Sequence, residues 1–281
     1  RTFWQLPGGG TAPRALLFLA HGACHGAEDF FEEPGFRGLP EERRIVAAAL
    51  ARGFLAVAAS SSDRQRKAWS PDVDGPRVAG ALAEVSRREG LSAEIPRYAL
   101  GASNGGAFVL LLPRWVDLCA VVCQIMALPI ELLSAVPSMP PALFVHMPRD
   151  RRTAAGVQSN VRWLVAMGKV AEERRCEPRP IGPGFFADQC DIDGHVSAKM
   201  AEALRGARLI DDQGQLLQDP RRTNWRLVLE PFARRLEDSL VADRSPISEA
   251  LNVAWGAHEI TAEGIEAALD FCEQEGGPGR G

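Results

Sequence analysis

Short unbroken apolar runs recur along the first two thirds of the chain, separated by stretches whose apolar residues fall three or four positions apart. Ala15-Leu16-Leu17-Phe18-Leu19-Ala20 and Phe54-Leu55-Ala56-Val57-Ala58-Ala59 are continuous, as strands covered on both faces must be. Between them, Pro40 to Arg52 carries apolar residues at helical spacing, and Gly53 ends the pattern. Thr2 to Leu6 reads as an edge strand before the turn Pro7-Gly8-Gly9-Gly10. Ser60 to Pro76 reads as a polar loop, Arg77 to Glu89 as a helix closed by Gly90, and Arg97-Tyr98-Ala99-Leu100 as a strand. Further strands are predicted within Leu118 to Met126, Ala142 to Met147 and Lys169 to Pro180. A helix over Thr153 to Met167 places Val157, Val161, Leu164 and Val165 together. Strand and helix alternating in this way imply an α/β fold, a mostly parallel sheet with helices on both faces.

The alternation stops from Ile181 to about Asp243. Phe185-Phe186 precede a loop with Asp188, Asp191, Asp193 and His195, and a short helix spans Ser197 to Leu204. Arg208-Leu209-Ile210 and Gln215-Leu216-Leu217 flank Asp211-Asp212-Gln213-Gly214, a hairpin-turn sequence, and Asn224 to Leu240 has the period of an amphipathic helix. Ser245-Pro246 has the form of an N-cap followed by proline at the first helical position, and Gly256 stops that helix. Thr261 caps a last helix over Ala262 to Gln274, with Ile265, Ala268, Leu269 and Cys272 inward, and the Gly- and Pro-rich tail from Gly276 reads as disordered. The organisation expected is a core over 1–180, an insert over 181–244, and a return to the core over 245–281. Ligands of such sheets sit beyond the strand carboxyl ends, so the insert is expected to act as a lid. A packing elaboration is the other reading of it.

Composition narrows the class of partner. The 281 residues are 46% hydrophobic and 24% charged, with a formal net charge of -4. No basic block with interleaved aromatics occurs, so no nucleic-acid partner is expected. The longest apolar stretch, Leu118 to Val136, is broken by Gln124, Pro129 and Glu131, so no membrane span is expected either. Six cysteines show no metal spacing: Cys119 and Cys123 read as buried thiols, while Cys24, Cys176, Cys190 and Cys272 leave a disulfide open. The chain starts at Arg1 without methionine, as removal of a leader from a secreted or organellar protein, or of a longer N-terminus, would leave it.

The chemistry gathers at Gly101-Ala102-Ser103-Asn104-Gly105-Gly106, which stands between a predicted strand and the apolar helix-like run Ala107 to Leu112. In a G-x-S-x-G elbow, small residues let strand and helix close up and hold the serine in a strained turn with its hydroxyl exposed. A plain tight connection is the alternative. A serine nucleophile needs a base, a carboxylate to orient that base, and donors for the oxyanion. Candidates occur in the order Ser103, Asp150, His258. In elbow and order alike, the chain resembles the α/β-hydrolase superfamily from the loop after Ala20 to its last helix. The run His21 to Phe31, taken with the elbow, is similar to a plant and algal branch of that superfamily.

The resemblance implies a serine hydrolase of carboxylic esters or related acyl bonds, carboxylesterase-like, with no cofactor and no metal. It places the acid at Asp150, after the second strand beyond the elbow. The base is His258 if it opens the last helix, or His195 if it follows the last strand directly; the well-capped final helix favours His258. Half of the oxyanion hole falls at Gly22, Ala23 and Cys24, and the Asn104 N–H supplies the other half. His21 orients that loop, His25 lines the entrance, and His146, inside a strand, is a core residue. Phe185, Phe186, Trp225 and Phe232 in the insert suggest a small-molecule substrate with an apolar acyl or alcohol group. A lyase or acyltransferase using the same triad, and a non-catalytic ligand receptor, are the rival readings.

Overall fold

A computed structural model of the chain describes residues 1–33, 36–233 and 245–277. In chain order its strands are β1 (Thr2–Gln5), β2 (Ala15–Ala20), β3 (Glu32–Glu33), β4 (Phe36–Arg37), β5 (Phe54–Ala59), β6 (Arg97–Ala102), β7 (Ala120–Gln124), β8 (Ala142–His146) and β9 (Ala171–Arg175). The helices are α1 (Pro40–Ala51), α2 (Pro71–Arg88), α3 (Asn104–Leu111), α4 (Ile130–Ser134), α5 (Arg151–Ala166), α6 (Phe185–Cys190), α7 (Gly194–Gly206), α8 (Trp225–Ala233), α9 (Pro246–Trp255) and α10 (Ile265–Glu275). Seven strands form one sheet in the order β1-β5-β2-β6-β7-β8-β9, and β3 and β4 make a separate two-stranded ladder. Only β1 runs antiparallel to its neighbour in the large sheet.

Alternation along β2 divides the core. Leu17 and Leu19 face a layer containing Ile45 and Val46 of α1 and Leu269 and Cys272 of α10. Leu16, Phe18 and Ala20 face the opposite layer, with Val78 and Leu82 of α2, Phe108 of α3 and Val157 and Leu164 of α5. Both faces are therefore covered, which is why β2 and β5 carry no polar residue.

The segment after β9 builds a third core. Phe186, Met200, Leu204, Trp225 and Leu229 pack with Ile247, Ala250 and Leu251 of α9, while Val253 of the same helix joins the α1 layer. Helix α9 is thus buried against both bodies. Phe186 and Trp225 are fully buried in this third core, and Phe185 and Phe232 pack on it. These aromatics, expected to offer an apolar substrate surface, are instead used up holding their own segment together.

Several boundaries differ from the sequence reading for definable reasons. Helix α2 starts at Pro71, ahead of Arg77, because the buried Asp74 carboxylate accepts from the Ser62 and Ser70 N–H groups and fixes the first turn. Helix α6 replaces an expected loop, since Ser197 Oγ, from α7, accepts from the Phe186 and Ala187 N–H groups. The expected hairpin is reduced to one bridge, Ile210 to Leu216, as Asp211 Oδ1 takes the Gln213 and Gln215 N–H groups. Helix α10 begins at Ile265 because Glu41 Oε2 draws Thr261 Oγ1 and the Ala262 N–H out of the helical path. The part of the expected 224–240 helix beyond residue 233, and the tail beyond residue 277, lie outside the described residues. All six cysteines are free thiols.

If Trp225 nucleates the third core, Trp225→Ala should lower stability by about 3–5 kcal/mol, read as a reduced urea midpoint.

Candidate active site

Strand β6 delivers its chain to a turn that the sequence makes possible. Ser103 has φ 54° and ψ −120°, a conformation L-residues occupy only when the surroundings enforce it. The enforcement is steric and local. A Cβ on Gly101 would sit 2.3 Å from the Gly105 carbonyl oxygen, and one on Gly105 would sit 2.3 Å from the Ala20 carbonyl oxygen. The Ser103 N–H donates to the Gln124 carbonyl at 2.9 Å, which locks the apex to the end of β7.

The hydroxyl presented by this turn meets an imidazole. Ser103 Oγ lies 2.8 Å from His258 Nε2, and His258 Nδ1 lies 2.7 Å from Asp150 Oδ2. A carboxylate on Nδ1 fixes the tautomer with the proton there and leaves Nε2 to accept from the serine. Asp150 follows β8 as the N-cap of α5, its Oδ1 accepting from the Thr153 N–H at 3.2 Å. Burial would raise its carboxyl, but the Thr153 hydrogen bond and His258 outweigh it and hold the group below the usual carboxylate range. Arg149 does not pair with it. Its guanidinium stacks 3.7 Å from the Trp255 ring centroid and donates to the Trp255 carbonyl.

His258 itself sits at φ 36° in a loop held from every side. Arg221 donates to the carbonyls of Ala257 and His258 and to Glu259 Oε2, which also accepts from Asn252 Nδ2. Past Glu259, Gln124 exchanges two hydrogen bonds with the Thr261 backbone, at 2.8 and 3.0 Å. None of Arg221, Asn252, Gln124 or Glu41 stands in a sequence motif. Their common signal is being polar beside or within buried elements, which a single sequence does not reveal.

The loop after β2 faces the serine across the sheet end. His21 Nδ1 is 2.7 Å from the Gly22 carbonyl, and its Nε2 accepts from the Ser61 N–H at 3.1 Å. Burial lowers His21 to about 4, so the ring is a neutral spacer. Trp69 stacks on Phe108, donates Nε1–H to the His21 carbonyl, and its backbone N–H donates to Asn104 Oδ1. That chain of contacts fixes the loop relative to the start of α3. The Cys24 N–H donates to the Arg66 carbonyl at 3.1 Å, which removes it from the expected oxyanion donors. Gly22, Ala23 and Asn104 remain.

A cavity of about 210 Å³ opens over these groups, lined among others by Ala23, His25, Glu42, Ser103, Arg221 and His258. Ile125, Ala102 and Ile260 supply its apolar wall. His195 is elsewhere, exposed on the first turn of α7, where its N–H donates to Asp193. His146 is buried in β8, 3.5 Å from Glu173. Glu42 of α1, which borders the cavity, is buried against Glu249 of α9, and burial raises both carboxyls. Among the described residues no cluster of side chains could hold a metal ion, and no helix is long and apolar enough to cross a membrane.

Compared by sequence, the chain matches no protein-family model and no curated protein. Among solved structures it is similar to LpqC, a poly(3-hydroxybutyrate) depolymerase from Bordetella parapertussis, at 17% identity, covering 75% of this chain and 85% of that one, with a TM-score of 0.44. It is similar to TT1662 from Thermus thermophilus at 22% identity, with 63% and 84% covered and a TM-score of 0.40. A thermostable esterase from Pseudomonas putida ECU1011 matches at 14% identity, with 62% and 68% covered and a TM-score of 0.41. What those proteins act on is said of them alone. The strand order, the antiparallel edge strand and the glycine-flanked serine turn after the central strand are those of an α/β-hydrolase fold.

Two outcomes follow from this geometry. Gly105→Ala should cost about 3 kcal/mol or more in chemical denaturation, whereas Gly80→Ala, with open space around it in α2, should add up to about 1 kcal/mol. The raised carboxyls of Glu42 and Glu249 mean the folded state keeps protons that the unfolded chain releases near its usual carboxyl pKa of about 4.3. Stability should therefore decline as pH rises above that value, and Glu249→Gln should flatten the decline in urea titrations at stepped pH.

Proposed function

We propose that the protein is a serine hydrolase of carboxylic esters, in which Ser103 attacks the acyl carbon. The observation that carries this reading is the continuous hydrogen-bonded chain Ser103–His258–Asp150 at the foot of one open cavity. His258 takes the hydroxyl proton as Oγ attacks, then gives it to the departing alcohol. Asp150, ionised at neutral pH, orients the ring and stabilises the imidazolium. The Ala23 and Asn104 N–H groups receive the oxyanion, since backbone donors fixed in advance need no reorganisation during the reaction. Water then enters along the same path, with His258 as base, and releases the acid from the acyl-enzyme. Products distinguish this from acyl transfer to another alcohol or from a lyase reaction.

Ser103→Ala should abolish hydrolysis of short-chain esters and labelling by a fluorophosphonate probe while circular dichroism stays unchanged. His258→Ala should abolish both, and His195→Ala should leave both at wild-type levels. Labelling that survives Ser103→Ala, or that is lost with His195→Ala, would overturn the assignment.

A further inference from the structure

A second imidazole reaches the cavity that Ser103 opens into. His25 Nδ1 lies 3.2 Å from Asp29 Oδ2, and the same oxygen accepts from the Gly26 N–H at 2.8 Å, so the carboxylate is fixed and the ring is fixed by it. The opposite edge of the ring faces the reacting centre. A methyl placed on Gly22 would lie 3.8 Å from His25 Cδ2 and 3.9 Å from Ser103 Cβ, so ring edge and nucleophile flank one methyl-sized gap. Nε2 is the ring nitrogen bonded to Cδ2.

Glu42 enters the same cavity from α1. The residue is 3% exposed, and its carboxyl shares a hydrogen bond with that of Glu249 while it borders the cavity. A buried carboxyl and a fixed imidazole border the cavity beside the nucleophile, and each has hydrogen-bonding capacity to offer there. They call for a ligand group that both accepts and donates. A hydroxyl does so; an alkyl group does neither, and a carboxylate accepts without donating.

We propose that His25 and Glu42 form a recognition subsite for a hydroxyl on a short acyl chain, His25 Nε2–H donating to the hydroxyl oxygen and the hydroxyl donating to the Glu42 carboxyl. This rests on the hydrolase reading and adds the substrate class: esters of short hydroxy acids. The subsite is formed by the loop after β2 together with α1. The cavity, about 210 Å³ and open to solvent, accommodates a chain of a few carbons beside Ser103.

The charge state agrees with this role. Burial of His25 opposes its protonation, but the Asp29 hydrogen bond and the fields of Glu42, Asp29 and Glu259 prevail and raise it to about 9. His21, uphill in the same loop, is neutral, and Lys67 acts on Asp29 from the loop after β5. The ring therefore carries its Nε2 proton at neutral pH. Above about 9 the proton that remains stays on Nδ1 toward Asp29, and Nε2 becomes an acceptor.

The test is the rate of acid release from methyl butyrate, methyl 3-hydroxybutyrate and monomethyl succinate, followed by titration at constant pH with the full chain. Wild-type protein should favour the hydroxy ester over butyrate in kcat/KM by about tenfold or more. His25→Phe and Glu42→Leu, each checked by fluorophosphonate labelling of Ser103, should bring that ratio close to one. Should both variants fail to fold, the wild-type ratio itself should fall as pH rises through about 9. Equal wild-type rates for the two esters, a ratio untouched in labelled His25→Phe, or preference for the succinate would each overturn the hydroxyl subsite while leaving the hydrolase reading intact. Absence of both turnover and labelling would instead remove the hydrolase reading, and the subsite with it.

Discussion

The close approach of α3 to the end of β2 is the contact on which the site depends. Gly105 lies so near the Ala20 and His21 carbonyls that a Cβ there would stand 2.3 and 2.4 Å from them. This nearness brings the serine turn and the loop after β2 onto one floor. It also lets Trp69 bridge them, through the His21 carbonyl on one side and Asn104 Oδ1 on the other. Any side chain at residue 105 would open the gap and part Ser103 from the backbone N–H groups of the loop after β2. Strain at Ser103 is the consequence of that closeness, and the hydrogen bond from its N–H to Gln124 helps sustain it.

His258 is strained as well, and it is sustained differently. The loop that carries it has no steric template of its own. It is gripped by polar groups drawn from α1, the end of β7, the segment after β8, α9 and the segment before α8. Arg221 matters here because it comes from the segment after β9. Folding the third core therefore delivers the guanidinium that fixes the His258 carbonyl. Helix α9, buried in two cores at once, transmits the position of that segment to the Gly256 turn just before the imidazole.

Charge distribution in the cavity runs against the apolar surface that the insert's aromatics suggested. Those rings pack into the third core, and the space beside Ser103 is instead bordered by His25, Glu42, Arg221 and His258. Ionisable groups held this far from water persist only with partners: His25 with Asp29, Glu259 with Arg221, Glu42 with Glu249 below it. Two of these pairs, Glu259 with Arg221 and Glu42 with Glu249, join residues far apart in the chain, while His25 and Asp29 are four residues apart.

The sequence alone determined the parallel sheet, the serine turn and the α9 cap, because each is written in neighbouring residues. Unbroken apolar runs mark strands buried on both faces, glycines mark a turn with no room for Cβ, and Ser245-Pro246 with Gly256 marks a helix at both ends. It narrowed the imidazole to two positions, since both His195 and His258 stand near a helix start, and the two differ only in what lies opposite them. Tertiary structure holds His195 on the α7 turn by Asp193 and sets His258 between Ser103 and Asp150. It also decided where α2, α6 and α10 begin, through Asp74, Ser197 and Glu41, and what borders the cavity. Those outcomes rest on side chains meeting particular backbone groups, from four residues away at Asp74 to 221 at Glu41, and the hydrophobic pattern holds no record of such meetings.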